Sequence, residues 1–168
     1  HAVFNFDILD VSRFAMEEIE KFRLCSYTEK SQRYQKLEDN YIIPEEINDP
    51  LFKKTIDLQN KAYQNMVEKG IEPEDARYVT SLATKGQLGL TVNARNLELI
   101  FRRFASSKYS EVRELGSKIY KEVEKIAPSI ILFTQPNPLD QVTYDEIKKQ
   151  WNRGYLSEKS HDEVALVN

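Results

Sequence analysis

A polar segment near the N-terminus carries residue types that can bind phosphate groups. Residues 23–34 read Arg-Leu-Cys-Ser-Tyr-Thr-Glu-Lys-Ser-Gln-Arg-Tyr. The two guanidinium groups can hold phosphate oxygens through paired hydrogen bonds, and Ser31 adds a hydroxyl and a backbone N–H. Glu29 can accept a hydrogen bond from a ribose hydroxyl or an amide. Composition alone favours the plainer interpretation, which is a solvated polar loop.

A second candidate for anion binding is the segment Thr91-Val92-Asn93-Ala94-Arg95. Its asparagine and arginine stand where a helix is predicted to begin. Free N–H groups and the helix dipole favour anions there, so this segment suits a nucleotide diphosphate. The alternative is an ordinary N-cap asparagine.

Further arginines, Arg77, Arg102 and Arg103, lie on other predicted helical segments. The plain interpretation of these three is a solvated charged face, which is the usual setting of surface arginines.

Nucleophile and metal chemistry find little support in the sequence. Cys25 is the single cysteine, which excludes an internal disulfide and a multi-cysteine metal site. A reactive thiol needs an activating base, and His1 and His161 stand at opposite ends of the chain. We therefore expect Cys25 to be a small packing residue. No metal is predicted, because the sequence holds no HExxH or CxxC pattern.

The elements that position these segments are predicted from hydrophobic periodicity and from cap residues. Helices and strands do not alternate as βαβ units, so the predicted class is α+β, with several long helices packed on a small antiparallel sheet. The predicted helices are 11–23 (capped by Asp10), 50–69, a short one from Pro73, 93–105, one holding Val112 to Ile126, and a weak one at 143–151. The residues predicted to face the core are Leu51, Ile56, Tyr63 and Val67 in the second helix, and Val112, Leu115, Ile119, Tyr120, Val123 and Ile126 in the fifth. A strand is predicted at 2–8, a turn and a strand within 85–92, an extended segment at 41–44 and a polar loop at 25–35.

Composition limits the class of protein. A chain of 168 residues suggests one domain, and 40% hydrophobic with 30% charged residues is an ordinary globular balance. The net charge of −3 argues against a nucleic-acid polymer as partner, and no apolar run approaches a membrane span. We expect a cytoplasmic protein. The first predicted strand is already under way at residue 2, so we also expect N-terminal residues to be missing.

The spacing of Arg23, Ser26, Glu29, Ser31 and Arg33 resembles the signature of the flavin-dependent thymidylate synthases, the ThyX family. In that family an arginine-histidine-arginine triplet precedes a serine-bearing nucleotide loop. The Val-Ser-Arg segment at 11–13 and the Asn-Ala-Arg segment at 93–95 are also similar to family motifs, and they occur in the same order.

The resemblance implies a ThyX-like catalytic domain over residues 1–135 and a C-terminal extension over 136–168. It implies dUMP and FAD as ligands, methylenetetrahydrofolate and NADPH as co-substrates, and a homotetramer whose active sites are shared between subunits. By the same resemblance Ser31 and Arg103 are catalytic. The implied dUMP-binding residues are Glu29, Lys30, Ser31, Gln32, Arg33, Arg77 and Arg103, and the implied FAD-binding residues are Lys21, Arg23, Asn93 and Arg95.

The sequence departs from the family pattern on the flavin side. Lys21 and Phe22 stand where the family has arginine and histidine. The planar guanidinium group and the hydrogen-bonding imidazole ring of the family are therefore absent. Aligning the Glu-Val-Arg at 111–113 with the family's Glu-Ile-Arg places Arg103 at the pyrimidine after a one-residue deletion. Without that gap Phe104 takes the position, and one residue turns a helix by about 100°.

Three functions therefore stand at this point. The first is reductive methylation of dUMP to dTMP. The second is a catalytically degenerate, nucleotide-binding paralogue with a structural or regulatory role. The third is an unrelated helical domain whose loop matches by chance.

Overall fold

The computed structural model describes residues 2–37 and 40–142, together with Glu146 and Lys149. The chain divides into two compact units, residues 1–135 and 136–168. The elements of the first unit are β1 (Val3–Ser12), α1 (Arg13–Glu20), β2 (Ser26–Glu29), α2 (Pro50–Glu68), α3 (Pro73–Ala76), a 3-10 turn (Arg77–Val79), β3 (Lys85–Asn93), α4 (Ala94–Ala105) and α5 (Ser110–Ile126).

The second unit is described in part. There the backbone N–H of Asn137 donates to the Asp140 carboxylate at 3.1 Å, and the N–H of Asp140 donates to the Asn137 side chain at 2.8 Å. Most of the helix predicted at 143–151 lies outside the described residues.

The three strands form one antiparallel sheet in the order β1-β3-β2, so β3 is central. One face is apolar and buried, as period-two alternation requires when a single face packs on helices. The buried apolar residues of the strands are Phe4, Ile8, Val11, Leu88, Leu90 and Val92. The predicted α+β class with a small antiparallel sheet is confirmed.

Strand β2 corrects one prediction, since the sequence indicated a loop throughout residues 25–35. Its four residues pair with β3 from Ser26 opposite Thr91 to Glu29 opposite Leu88. Only Tyr27 among them is a large apolar residue, so the alternation was too short to be recognised. The Tyr27 hydroxyl lies 2.7 Å from the Ile19 carbonyl, which fixes β2 to the end of α1.

Helix α1 corrects a second prediction, because it begins at Arg13 rather than at residue 11 and ends at Glu20 rather than at 23. Val11 and Ser12 extend β1 and pair with the start of β3. The N-cap is Ser12, whose hydroxyl accepts from the Ala15 N–H at 3.1 Å, and not Asp10. Asp10 instead adopts a φ of 55° where the β1 register shifts.

The predicted α2 and α4 agree with the structure to within one residue at each end. The turn predicted within 85–92 is wrong, because β3 is one continuous strand from Lys85 to Asn93. The predicted buried face of α5 is confirmed at Val112, Leu115, Ile119 and Val123, whereas Ile126 is exposed. The prediction that Leu51 of α2 belongs to the core is wrong. This residue lies in the first turn and is 64% exposed.

Helices α4 and α5 pack closely where Phe104 meets Gly116. Phe104 is buried, and a Cβ placed on Gly116 would lie 3.0 Å from the Cβ of Phe104. Phe22 contacts the same ring edge-on, at a centroid distance of 5.9 Å. The absent side chain at position 116 is therefore what admits the Phe104 ring between the helices.

We expect Gly116→Leu to lower the free energy of unfolding by about 1–3 kcal/mol, because the added atoms overpack the α4–α5 contact. Urea unfolding followed by circular dichroism measures the change. Lys121→Leu, on the exposed face of α5, is the control and should alter stability by about 0.5 kcal/mol or less. Equal effects of the two substitutions would contradict this account of the contact.

Candidate functional site

The part of the predicted loop that follows β2, residues 30–37, is called the polar loop from here on. Hydrogen bonds hold it at both ends. The Lys30 N–H donates to the Gln87 carbonyl of β3 at 3.3 Å. At the far end the Leu37 N–H donates to the hydroxyl of Tyr63, a buried residue of α2, at 3.0 Å. The intervening residues are held between the sheet and α2.

Within the loop, Ser31 forms a local turn. Its hydroxyl oxygen accepts from the Arg33 N–H at 3.2 Å, and its carbonyl accepts from the Gln35 N–H at 3.3 Å. Such serine turns shape short loops. Because the hydroxyl only accepts in this bond, its hydrogen can still be donated to a ligand oxygen.

A cavity of about 210 Å³ opens beside this loop. Four of the seven residues predicted to bind dUMP line it, namely Glu29, Lys30, Ser31 and Gln32. Lys30, Lys36 and Lys85 also border the cavity, against the two carboxylates of Asp10 and Glu29. The Lys85 ammonium lies 3.5 Å from Asp10. The excess of ammonium groups suits an anionic ligand.

Arg33 and Arg77 meet at one residue, Glu74 of α3. The Arg33 guanidinium lies 2.6 Å from the Glu74 carboxylate, and this ion pair raises the pKa of Arg33. The Arg77 Nε–H donates to the Glu74 carbonyl at 3.2 Å. Two arginines that are far apart in sequence therefore lie beside the same short helix.

Charged residues cluster where α1 faces the end of β2. Arg13 forms ion pairs with Glu17, at 3.2 Å, and with Glu29. Glu20 belongs to the same cluster. Burial raises its pKa, and the neighbouring Glu29 and Glu17 raise it further while Arg13 lowers it.

The residues predicted to bind FAD gather mainly at the start of α4. Asn93 is the N-cap, and its side chain accepts from the Asn96 N–H at 2.9 Å. The Asn96 amide donates to the Leu24 carbonyl at 3.0 Å, which ties the residue next to Arg23 to the first turn of α4. The plain interpretation of Asn93 as a cap is thus correct, and the cap also brings the two motifs together.

Arg23 and Arg95 are both exposed and form no ion pair within the part of the chain that the structure describes. Lys21 differs, because it pairs with Glu18 on α1. The neighbouring Phe22, which replaces the family's histidine, packs on buried Phe104.

The two groups of predicted residues stand at opposite ends of β2. Ser26 pairs with Thr91 near the start of α4, whereas Glu29 pairs with Leu88 beside the polar loop. Three residue steps of a strand span about 10 Å. The side chains predicted to bind ligands therefore form two separate groups on one chain.

Arg103 lies in the last turn of α4, nine residues beyond Ala94 and about 13 Å along the helix. Its side chain is exposed, whereas Phe104 is buried in the core. Of the two residues between which the alignment had to choose, only Arg103 is placed to reach a ligand.

Sequence reasoning missed Arg13, Tyr63 and Glu74, each of which touches a predicted site residue or the loop. Arg13 directly follows the helix cap, and Glu74 stands three residues before Arg77, but neither spacing is specific. Tyr63 was predicted only as a core residue. Cys25 is half-buried and packs against the core, as predicted.

Residues 2–37 and 40–142 make up nearly all of the part of the chain that the structure describes. No group of three or more His, Cys, Asp or Glu side chains there is placed to hold a metal ion. No helix in these ranges combines the length and apolar character needed to cross a bilayer.

Comparison with known proteins shows one family. Residues 1–129 match the family Thy1, described as thymidylate synthase complementing protein. A flavin-dependent thymidylate synthase from Saccharolobus solfataricus is 31% identical, and the match covers 95% of this chain and 68% of that protein. A protein of the same name from Sulfolobus acidocaldarius is 34% identical over 82% of this chain and 55% of its own length.

Solved structures share the fold. Thymidylate synthase X from Helicobacter pylori, solved with FAD and dUMP, superposes with a TM-score of 0.65 at 19% identity and covers 77% of this chain and 73% of that one. The UMP/dUMP methylase PolB from Streptomyces cacaoi, bound with 5-Br dUMP, gives 0.62 at 19% identity, covering 75% and 66%.

We expect Tyr63→Phe to loosen the polar loop, because it removes the hydroxyl that accepts from Leu37 and keeps the ring. The free energy of unfolding should fall by about 0.5–1.5 kcal/mol, the usual worth of one hydrogen bond. Amide hydrogen exchange across residues 30–37 should become faster. Tyr120→Phe is the control, since that hydroxyl lies 3.5 Å from Glu124 on an exposed surface. Unchanged exchange in Tyr63→Phe would mean that the loop does not depend on this bond.

Proposed function

The chain belongs to the flavin-dependent thymidylate synthase (ThyX) family, and we propose that it catalyses the reductive methylation of dUMP to dTMP. Methylenetetrahydrofolate would donate the carbon and NADPH the electrons. The family match over residues 1–129 shows that the third interpretation, a chance loop match in an unrelated domain, is wrong.

The observation that carries the proposal is the cavity beside the polar loop. Glu29, Lys30, Ser31 and Gln32 line it, and it has more ammonium than carboxylate groups on its border. A nucleotide monophosphate carries close to two negative charges at neutral pH, which is the kind of ligand such a border attracts. The loop is fastened at both ends, so its donors are held in place before the ligand arrives.

The donors at the start of α4 fit a flavin dinucleotide. Arg23 and Arg95 are exposed guanidinium groups beside a helix N-terminus, a combination that suits a diphosphate. When bound, FAD supplies the redox chemistry of the reaction. We propose that Arg23, Asn93 and Arg95 hold it, with Lys21 contributing a further positive charge.

The chain's own contribution to the reaction would be electrostatic. Arg33 and Arg77, which share Glu74, would bind the phosphate, and the Ser31 hydroxyl would donate to a phosphate oxygen. Arg103 would donate to the pyrimidine ring and stabilise negative charge that develops there. No side chain of this chain needs to form a covalent bond with the substrate.

We further propose that complete active sites form between subunits of a homotetramer. Arg23, Asn93 and Arg95 form a group at the start of α4, called the α4 group below. The polar loop and the α4 group lie at opposite ends of β2, and Arg103 lies at the far end of α4. A second copy of the chain that brings its α4 to the polar loop would unite the two sets. Residues 1–135 would be the catalytic domain and 136–168 an extension of it.

One observation favours the alternative, a nucleotide-binding paralogue without flavin chemistry. Phe22 replaces a hydrogen-bonding histidine and packs its ring on Phe104, so this position offers nothing polar to a cofactor. Lys21 is drawn to Glu18 instead of lying free for a flavin phosphate. Both changes spare the polar loop.

We expect purified protein mixed with FAD to show a bound-flavin absorption band that shifts when dUMP is added, because the two ligands would lie side by side. Arg95→Ala should weaken FAD uptake and leave the fold intact, as judged by circular dichroism. Protein that binds dUMP but no FAD, and that fails to support growth of a thymidine-requiring strain, would favour the paralogue. Growth of that strain without thymidine would exclude the paralogue.

We expect Arg103→Ala to lower kcat/KM for dUMP by about 100- to 1000-fold, the cost of removing one donor aimed at developing charge. Arg113→Ala is the matched control, since that exposed guanidinium donates to the Ser107 carbonyl at 2.8 Å and is not placed in the site. Steady-state kinetics on the flavin-loaded protein measures both. Equal, small effects of the two variants would show that Arg103 does not reach the pyrimidine.

A further inference from the structure

Arg13 is a charged residue near the polar loop whose backbone is held by hydrogen bonds to other parts of the chain, and it has no role in the proposed function. Its backbone N–H donates to the Thr84 carbonyl at 2.8 Å, which fixes the start of α1 to the segment before β3. Ser12, directly before it, is held by Glu111 of α5, which accepts from the Ser12 N–H at 2.8 Å and from its hydroxyl at 2.6 Å. The position of the Arg13 backbone is therefore set by two other parts of the chain, the segment before β3 and helix α5.

The guanidinium of Arg13 reaches Glu29, the last residue of β2, and the two side chains are only 25% and 27% exposed. Successive strand residues face opposite sides of a sheet, so Glu29 shares the face of Tyr27, which packs toward α1. The Glu29 carboxylate is thus directed to α1, while the chain beyond it turns away to form the polar loop.

Glu29 is consequently the point at which the loop leaves the sheet. On the β3 side, Glu29 pairs with Leu88, and the Lys30 N–H donates to the Gln87 carbonyl. On the α1 side, the attachment is the Arg13–Glu29 ion pair. Arg13 lines neither of the two cavities that Glu29 borders, so any influence it has on a ligand passes through Glu29.

The charges of the cluster make the same point. Among the described residues, Arg13 is the cation that pairs with both Glu17 and Glu29. All three charges influence the pKa of the neighbouring Glu20. Without the guanidinium, three carboxylates would remain near a cavity that is to receive a phosphate. The end of β2 would lose its ion pair with α1, and the charge around it would be more negative.

We propose that Arg13 is a positioning residue for nucleotide binding, which holds Glu29 and thereby the base of the polar loop. This rests on the proposed binding of dUMP at that loop. It adds a residue on α1 to the site, and it gives the glutamate at the border of the cavity a partner that lies outside the cavity.

The test is a double-mutant cycle on the full, flavin-loaded protein with Arg13→Gln, Glu29→Gln and the double variant. Calorimetry gives the Kd for dUMP, and steady-state kinetics gives KM and kcat. Arg13→Gln should raise the Kd and KM about fivefold, the size expected for loss of one part-exposed ion pair, and change kcat less than about twofold. Because Arg13 acts through Glu29, the double variant should bind dUMP no more weakly than Glu29→Gln alone.

Two single variants complete the design. Arg13→Lys keeps the charge without the fork and should recover part of the affinity. Glu17→Gln removes the other partner of Arg13, which is 46% exposed, and should alter the Kd less than about twofold. If Arg13→Gln proves too unstable to assay, Arg13→Lys still tests the idea through faster amide exchange across residues 30–37.

Two results would overturn the proposal without touching the proposed function. One is an unchanged Kd in Arg13→Gln, and the other is a double variant whose losses are the product of the single ones. Parent protein that binds no dUMP at all would overturn the proposed function and this inference with it.

Discussion

Strand β3 is the element on which the rest of the structure depends. Among the strands of the described residues it alone pairs on both sides, with β1 along one edge and β2 along the other. Its last residue, Asn93, is also the N-cap of α4, so the strand passes into the helix without a linker. The polar loop begins opposite one part of β3 and the α4 group begins at its end. The distance between the two candidate binding groups is therefore set by the length of a hydrogen-bonded strand, and a strand changes length very little.

The Phe22–Phe104–Gly116 contact shows how a departure from the family pattern can serve the fold. A hydrogen-bonding ring at position 22 would have to leave its polar atoms near a buried aromatic side chain, which is costly without a partner. Phenylalanine removes that cost, and Gly116 leaves the space that Phe104 needs. The packing of α4 on α5 and the loss of a polar side chain at position 22 thus involve the same three residues. The polar loop lies outside this contact, at the other end of β2, which is why its signature can persist while position 22 changes.

Much of this could be predicted from the sequence, and the failures have physical causes. Long amphipathic segments such as α4 and α5 repeat their pattern often enough to be recognised, and Asn93 and Gly70 mark ends that local chemistry dictates. Strand β2 was missed because four residues cannot display a period. The start of α1 was misplaced because Asp10 and Ser12 are equally good caps, and only the pairing of β1 with β3 decides between them. The spacing of the loop motif indicated its residues, but the contacts of Arg13 and Glu74 depend on tertiary structure.

The charge pattern of the chain is compatible with the proposed site between subunits. Arg23 and Arg95 are exposed cations that find no carboxylate among the described residues, whereas Arg13 and Arg33 are paired inside the chain. A protein with a net charge of −3 has carboxylates to spare, so two uncompensated guanidinium groups at one helix start are not explained by a shortage of partners. Leaving them unpaired costs little in water but becomes favourable once an anionic ligand, or the anionic ligand held by another copy, arrives. The paired arginines lie beside the polar loop and the unpaired ones beside α4, so the two groups differ in kind as well as in place. That difference is what a site divided between subunits requires, since each half must stay stable alone and still attract the other's ligand.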